Sequence, residues 1–326
     1  MPSVVVIGAS GYTGALAASI LQRHPRFDLV GVTSRSDAGT KLSELYPYHR
    51  VHLALEELDV DRHGEADAAI VAYPHGAAAP VVAALRERNT RVVDLSADFR
   101  LRDIEVYEEW YVPHAHPELM WEAVYGLPEL RRAQIEGADL VANPGCFPTA
   151  ALLALAPLAP WITDVVIDAK SGVSGAGRTL RPTTHFVAAN ENVTPYGITG
   201  HRHRPEIDQE LAVLGAPVAT TFIPHLVPLD QGELVSCYCT LSEVVDVDAL
   251  FARAYSREPF IELVDVAPGV RDVRDTNFCR IHARYDERTG KAMVFAAIDN
   301  LWKGSSSQAV QNLNLMYGYD ETMGLQ

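Results

Sequence analysis

Val4-Val-Val-Ile7-Gly8-Ala-Ser-Gly11-Tyr-Thr-Gly14-Ala-Leu16, at the very start of the chain, is the stretch that decides the fold. A run of β-branched residues predicts a strand, three glycines in G-x-x-G-x-x-G spacing follow at once, and an apolar stretch through Leu16, Ile20 and Leu21 continues as a helix. Strand, tight turn and helix in that order are the context a dinucleotide fingerprint needs, in a variant of the usual G-x-G-x-x-G spacing. Glycines let the backbone approach a pyrophosphate, and the N–H groups at the helix start meet its negative charge. Ser10, Tyr12 and Thr13 add donors, so Gly8, Ser10, Gly11, Tyr12, Thr13 and Gly14 are the expected cofactor contacts. The plainer alternative is a glycine-rich turn without a ligand.

The second predicted strand, residues 29–33, ends in Ser34-Arg35-Ser36, where an NAD enzyme usually carries an acidic residue for the ribose hydroxyl. A guanidinium there favours a 2′-phosphate, so Ser34 and Arg35 point to NADP; the alternative is a solvated surface arginine. Further strands at 69–72 and 91–95 alternate with helical stretches, which implies βαβ units and a parallel sheet. From residue 165 the texture changes to strands at 165–169, 218–223, 233–241, 280–284 and 293–298.

The expected fold class is therefore α/β. It comprises an N-terminal Rossmann-type dinucleotide-binding domain and an α+β catalytic and dimerisation domain on a mostly antiparallel sheet. The expected boundaries are 1–145 plus 300–326 for the first domain and 146–299 for the second. Residues 305–316 carry apolar positions at Ala309, Val310, Leu313 and Met316, a helix with one buried face that returns to the first domain. The glycine-rich stretch 171–177 is the expected mobile loop.

A chain of 326 residues, 48% hydrophobic and 21% charged, is long enough for two cores. Its formal charge of -15 offers no attraction to phosphodiester backbones, so nucleic acid is not an expected partner. Residues 1–7 lack the basic n-region of a signal peptide, and no apolar run approaches a membrane span, which predicts a soluble cytoplasmic protein. The four cysteines are too sparse for a disulfide framework and form no C-x-x-C pair, so reduced thiols and no metal are expected.

One of them stands apart. Asn143-Pro-Gly-Cys146-Phe-Pro-Thr149 lies between a predicted strand at 139–142 and an apolar helix at 150–158. A thiolate at a helix N-terminus is stabilised by the dipole, which lowers its pKa. Cys237, Cys239 and Cys279 sit in strand-like runs and read as small buried hydrophobes. Gly200-His201-Arg-His203-Arg-Pro-Glu206 opens another predicted helix and supplies two histidines suited to proton transfer near neutral pH. His24, His49, His52 and His63 have no such context and read as surface positions.

Six blocks together, Gly8 to Gly14, Val93-Asp-Leu-Ser-Ala-Asp-Phe-Arg100, Asn143-Pro-Gly-Cys146, Ser171-Gly-Val-Ser-Gly-Ala-Gly-Arg178, Gly200-His-Arg-His203-Arg-Pro-Glu206-Ile207 and Asp299-Asn-Leu-Trp-Lys-Gly304, resemble the N-acetyl-gamma-glutamyl-phosphate reductase family. They span nearly the whole chain in family order, with small departures at Trp302 and at Ser305 to Ser307. The resemblance implies kinship with aspartate-semialdehyde dehydrogenase and NADPH-dependent reduction of an acyl phosphate through a thioester on Cys146. His203 is favoured for proton transfer, and His201 is a substrate-positioning candidate. Arg100, Arg178 and Glu191 are implied as substrate contacts, and Pro74, His75, Ser96, Ser174, Gly175 and Asn300 as further cofactor contacts. For Arg100 the alternative is an ion pair with Asp98 or Asp103. A homo-oligomer, dimer or tetramer, is implied too. Competing readings are a cysteine hydrolase, a non-catalytic NADP-binding regulator, and the lysine-pathway paralogue that reduces a carrier-linked 2-aminoadipyl phosphate. The first needs no glycine turn, the second no helix-start cysteine, and the third's acidic carrier suits a charge of -15 poorly.

Overall fold

β1 (Ser3–Ile7) is buried without interruption from Val4 to Ile7, the unalternating pattern of a strand covered on both faces. It pairs in parallel with β2 (Asp28–Thr33) on one side and β4 (Ala68–Val71) on the other. With β3 (Leu55–Glu56), β5 (Arg91–Asp94), β6 (Val124–Tyr125) and β7 (Leu140–Ala142) the sheet runs β3-β2-β1-β4-β5-β7-β6. Every pair in it is parallel. The helices of eight residues or more in this part are α1 (Tyr12–Gln22), α2 (Ala79–Arg86) and α3 (Pro128–Ile135). The computed structural model describes residues 1–325, and in it the chain forms two units. One holds Met1–Pro144 and the chain from Ser305 onward, the other Gly145–Gly304.

In the second unit α4 (Cys146–Leu155) is buried from Phe147 to Leu155 and packs against a second seven-stranded sheet. Its strands are β8 (Ile162–Ser171), β9 (Thr194–Pro195), β10 (Thr221–Leu226), β11 (Glu233–Leu241), β12 (Ile261–Leu263), β13 (Cys279–Asp286) and β14 (Lys291–Ile298), in the order β12-β13-β14-β11-β8-β10-β9. Only β8 with β10 and β12 with β13 pair in parallel, so the sheet is mixed and mostly antiparallel. Val165, Ile167 and Ala169 of β8 and Val235, Cys237 and Cys239 of β11 are buried at alternate positions, the period-two pattern of a sheet with one face on the core. α5 (Arg204–Val213) packs on α4, and α6 (Val247–Tyr255) lies on β12 and β13.

α7 (Ser307–Met316) packs on α1 and α3 in the first unit. Its apolar spacing predicts one buried face, yet every residue of it is buried. Amide side chains make this possible: Asn312 donates to Gly126 O and Asn143 Oδ1, and Gln311 donates to Glu321. Buried polar groups are tolerated where they are hydrogen-bonded. Two histidines expected at the surface are likewise buried. His24 Nδ1 accepts from the Arg26 and Phe27 N–H groups, and His63 bonds Glu56 and the loop at Asp59.

The candidate thiol site and the nucleotide-binding turn

At the turn after β1, Gly8 has φ +88°, and a Cβ there would stand 2.7 Å from Ala72 O. A Cβ on Gly14 would collide with Gly8 O and come within 2.8 Å of Ala9 Cα. Both glycines are demanded by the protein's own backbone. Gly11 is different, since its Cβ would meet nothing closer than Gly8 O at 3.8 Å. Space is left there for a group that is not protein, which is how the middle glycine of a pyrophosphate turn works. Gly11 is also the N-cap of α1 and brings no capping side chain. Ser10 Oγ and Ser34 Oγ lie 2.8 Å apart, and Tyr46 donates its hydroxyl to Ser10 O. Arg35 is exposed, with its guanidinium 4.7 Å above the Tyr73 ring. Asp37, the nearest acid, accepts from the Ser36 hydroxyl at 2.6 Å.

The loop after β5 is a knot of buried charge. Asp98 accepts from the N–H groups of Gly76, Ala78 and Ala79 and from the Tyr107 hydroxyl. Burial, and the charge of Asp98 beside it, push the Asp94 carboxyl up to about 7. Ser96 is fully buried and donates its hydroxyl to Asp94. Arg100, only 6% exposed, donates to Asn143 O and Leu95 O, tying the loops that follow β5 and β7. These two residues, read from the sequence as ligand contacts, have their polar atoms engaged in holding loops. Pro74 and His75 stand exposed after β4, with His75 Nδ1 accepting from Ala97 N–H.

In the second unit the helix that carries the cysteine starts four residues earlier than its apolar run predicts, so Cys146 is its first residue and Gly145 its N-cap. Glu206 of α5, almost wholly buried, accepts the Gly145 N–H at 3.0 Å and locks the turn in front of the thiol. His203 is packed so tightly on that turn that a Cβ on Gly145 would lie 2.5 Å from its Nε2. Gly304 closes the other side, where a Cβ would lie 2.8 Å from that of Cys146. Gly145→Ala is therefore expected to displace the His203 ring and lower turnover more than it lowers the thermal midpoint, a contrast read by steady-state kinetics beside calorimetry.

His201 and His203 both lie in this site, 5.0 Å apart between ring centroids, with Phe147 against each and Phe222 and Tyr196 against His201. His201 Nδ1 accepts the His203 N–H, which leaves its proton on Nε2. Burial, with the positive charge of Arg202 beside it, lowers its pKa to about 4. Such an imidazole is neutral at pH 7. One buried acid of this unit carries no sequence signal of its own: Glu233, the first residue of β11, is fully buried with neither carboxyl oxygen hydrogen-bonded, and burial raises its pKa to about 8. It opens an ordinary strand pattern and pairs with Ser171 of β8 and Ile298 of β14.

The glycine-rich stretch expected to be a mobile loop is pinned. Gly172, Val173 and Ser174 donate their N–H groups to Gly232 O, Leu229 O and Asp230 O. Asn300 bridges Ser174 and Gly232, while Gly175 is exposed. The exposed run begins after it, and Arg178 and Glu191 lie there, Glu191 in the left-handed region at φ 56°. Among the described residues no group of acids, histidines and cysteines could hold a metal ion, and no helix is long and apolar enough to cross a membrane.

Residues 3–138 match the family model described as "Semialdehyde dehydrogenase, NAD binding domain", and residues 146–300 match "Semialdehyde dehydrogenase, dimerisation domain". N-acetyl-gamma-glutamyl-phosphate reductase of Moorella thermoacetica is 48% identical over 98% of this chain and 97% of its own length. That of Desulforudis audaxviator is also 48% identical, over 100% and 98%. Among solved structures, aspartate semialdehyde dehydrogenase II of Vibrio cholerae superposes with a TM-score of 0.75 at 17% identity, over 98% of each chain. The aspartate semialdehyde dehydrogenase of Candida albicans, solved with NADP, gives 0.73 at 14% identity, over 97% and 98%. These two likenesses speak for the fold.

Proposed function

Since this chain belongs to the N-acetyl-gamma-glutamyl-phosphate reductase family, we propose that it reduces N-acetyl-L-glutamyl 5-phosphate to N-acetyl-L-glutamate 5-semialdehyde with NADPH, by way of a thioester on Cys146, in arginine biosynthesis. The observation that carries the chemistry is the seating of His203 Nε2 against Gly145, directly before a cysteine that opens a helix.

The Cys146 sulfur attacks the acyl carbon and the carbon–oxygen bond to phosphate breaks. The helix dipole favours the thiolate. Oxyanion donors are drawn from the first N–H groups of α4. Pro148 has none and the Thr149 N–H bonds Gly145 O, so the Phe147 N–H is assigned that role. His203 gives a proton to the departing phosphate and later manages the proton of the hemiacetal oxygen, the work suited to an imidazole near neutral pH. His201, held neutral, orients substrate.

Bound NADPH supplies the hydride. The turn at Gly8, Gly11 and Gly14 fits its pyrophosphate, because the only open glycine is the middle one, and Arg35 with Ser34 fits the 2′-phosphate. Arg35→Ala is expected to raise the NADPH Michaelis constant roughly ten-fold or more and the NADH constant little, since a charge-assisted bond to phosphate is lost. Equal effects on both cofactors would reduce Arg35 to a surface residue. Arg178 and Glu191 are assigned to substrate recognition, Arg178 through the bidentate fit of a guanidinium to a carboxylate.

We place the enzyme in the cytoplasm as a homo-oligomer built through its second unit, a reading supported by the dimerisation-domain match. The lysine-pathway and regulator readings are not favoured, because the relatives that match over full length carry the N-acetyl-gamma-glutamyl-phosphate name. The test is the reverse reaction: N-acetylglutamate semialdehyde, phosphate and NADP⁺ together should produce NADPH, and omission of phosphate should stop it.

A further inference from the structure

Tyr73 has no part in the steps above, yet it is what Arg35 rests on. The Arg35 guanidinium carbon stands 4.7 Å over the centre of the Tyr73 ring, and among the described residues Arg35 makes no hydrogen bond and no ion pair. Its nearest acid, Asp37, is held instead by the hydroxyls of Ser34 and Ser36. All the N–H donors of the guanidinium are therefore open. We propose that Tyr73 is a positioning residue for NADP: its ring holds Arg35 across the glycine turn with every donor free for the 2′-phosphate, and so helps select NADPH over NADH.

The fold fixes this platform. Tyr73 follows β4 closely, is only 8% exposed, and belongs to the apolar cluster that includes Val71, Ala78 and Val82. A Cβ on Gly8 would come within 2.9 Å of its Cδ1, so the ring lies directly against the turn after β1. Arg35 follows β2, and β2 and β4 flank β1 on opposite sides. A contact between the two side chains therefore bridges the end of β1, where the stretch from Gly8 to Gly14 begins.

An exposed arginine that roams is a poor selector. Ordering so long a side chain on a ligand costs rotamer freedom, and that cost is subtracted from the charge-assisted bonds it makes. A ring that attracts the cation through its face removes part of the cost before the cofactor arrives, and it leaves open the N–H edge that meets a phosphate bidentately. NADH has no 2′-phosphate and gains nothing from this arrangement. The preference between the two cofactors then depends on a ring that need touch neither.

This inference rests on Arg35 meeting the 2′-phosphate, and its test reads cofactor binding to the full chain without substrate. Dissociation constants for NADPH and NADH are measured by nicotinamide fluorescence titration for wild type, Arg35→Ala, Tyr73→Leu, Tyr73→Phe and the Arg35→Ala, Tyr73→Leu double variant. Tyr73→Leu should weaken NADPH binding roughly two-fold to five-fold, the scale of a cation–π contact at an exposed site, and leave NADH binding unchanged. Tyr73→Phe keeps the ring face and should bind both cofactors as wild type does. In the Arg35→Ala background Tyr73→Leu should do nothing further. Equal weakening of both cofactors by Tyr73→Leu, the result of a purely structural ring or of one that touches the cofactor itself, overturns the proposal, as do additive effects in the double variant. Should the leucine variant fail to fold, the wild type still decides: its Arg35 Nε–H resonance, assigned by its loss in Arg35→Ala, should be shifted upfield by the Tyr73 ring current, and an unshifted resonance sinks the idea. If Arg35→Ala weakens both cofactors alike, the 2′-phosphate assignment falls and this inference with it; if it acts on NADPH alone while Tyr73→Leu does not, only the inference falls.

Discussion

Cys146→Ser is expected to lower turnover by roughly 10³-fold or more, about 4 kcal/mol of barrier, with little change in NADPH affinity or thermal midpoint. A hydroxyl ionises far less readily than a thiol, and the dipole of one helix cannot make up the difference. Alkoxide is also a poorer leaving group than thiolate when the hemiacetal collapses. The exchange is small in volume at a half-buried position, and the glycine turn at residues 8–14 belongs to the other unit, so folding and cofactor affinity are not touched. Mass spectrometry of acid-quenched wild type with acyl phosphate and no cofactor should find the acyl group on the peptide that contains Cys146. A serine variant that turns over near normally would refute the thioester.

His203→Asn is expected to lower the turnover number and its ratio to the Michaelis constant together, by roughly 10²-fold to 10⁴-fold. His201→Asn should instead act chiefly on the Michaelis constant. The two are separable because an imidazole whose pKa lies at about 4 is neutral at pH 7 and is no general acid there, its Nε2–H serving only as a hydrogen-bond donor. His201 has a second signature. Its folded pKa is below the ordinary 6.5, so the unfolded chain binds the proton more readily. Stability should be unaffected by this residue above pH 6.5 and should fall as the pH drops from 6.5 through 4. His201→Asn should lack that part of the slope in denaturant titrations across pH. If His201→Asn is the variant that loses turnover at unchanged substrate affinity, the two roles are exchanged.

Much of this was open to a reader of the chain alone. The strand, glycine turn and helix at residues 4–21 stand where their spacing predicts, because Gly8 and Gly14 are imposed by backbone contacts within a few residues of each other. The strand at 233–241 matches its expected limits, since alternation of buried positions is a local pattern. The thiol at a helix start was legible because a glycine and a cysteine after a strand leave few other conformations. The Asp-Leu-Ser-Ala-Asp-Phe-Arg block was legible as a motif, but not its contacts: Asp98 accepts backbone N–H groups and Arg100 donates to backbone carbonyls.

The sequence by itself pointed to a glycine turn with the spacing of a pyrophosphate cradle and to a cysteine at a helix start, since each rests on neighbours within about ten residues. The tertiary structure alone decided that His201 is neutral at pH 7 and which buried acid holds the turn before the cysteine. Burial and hydrogen bonds that shape a site come from residues far apart in the chain: Glu206 reaches Gly145. A proton's affinity for its site is a sum over everything packed around it, and only strand register and helix packing say what that is.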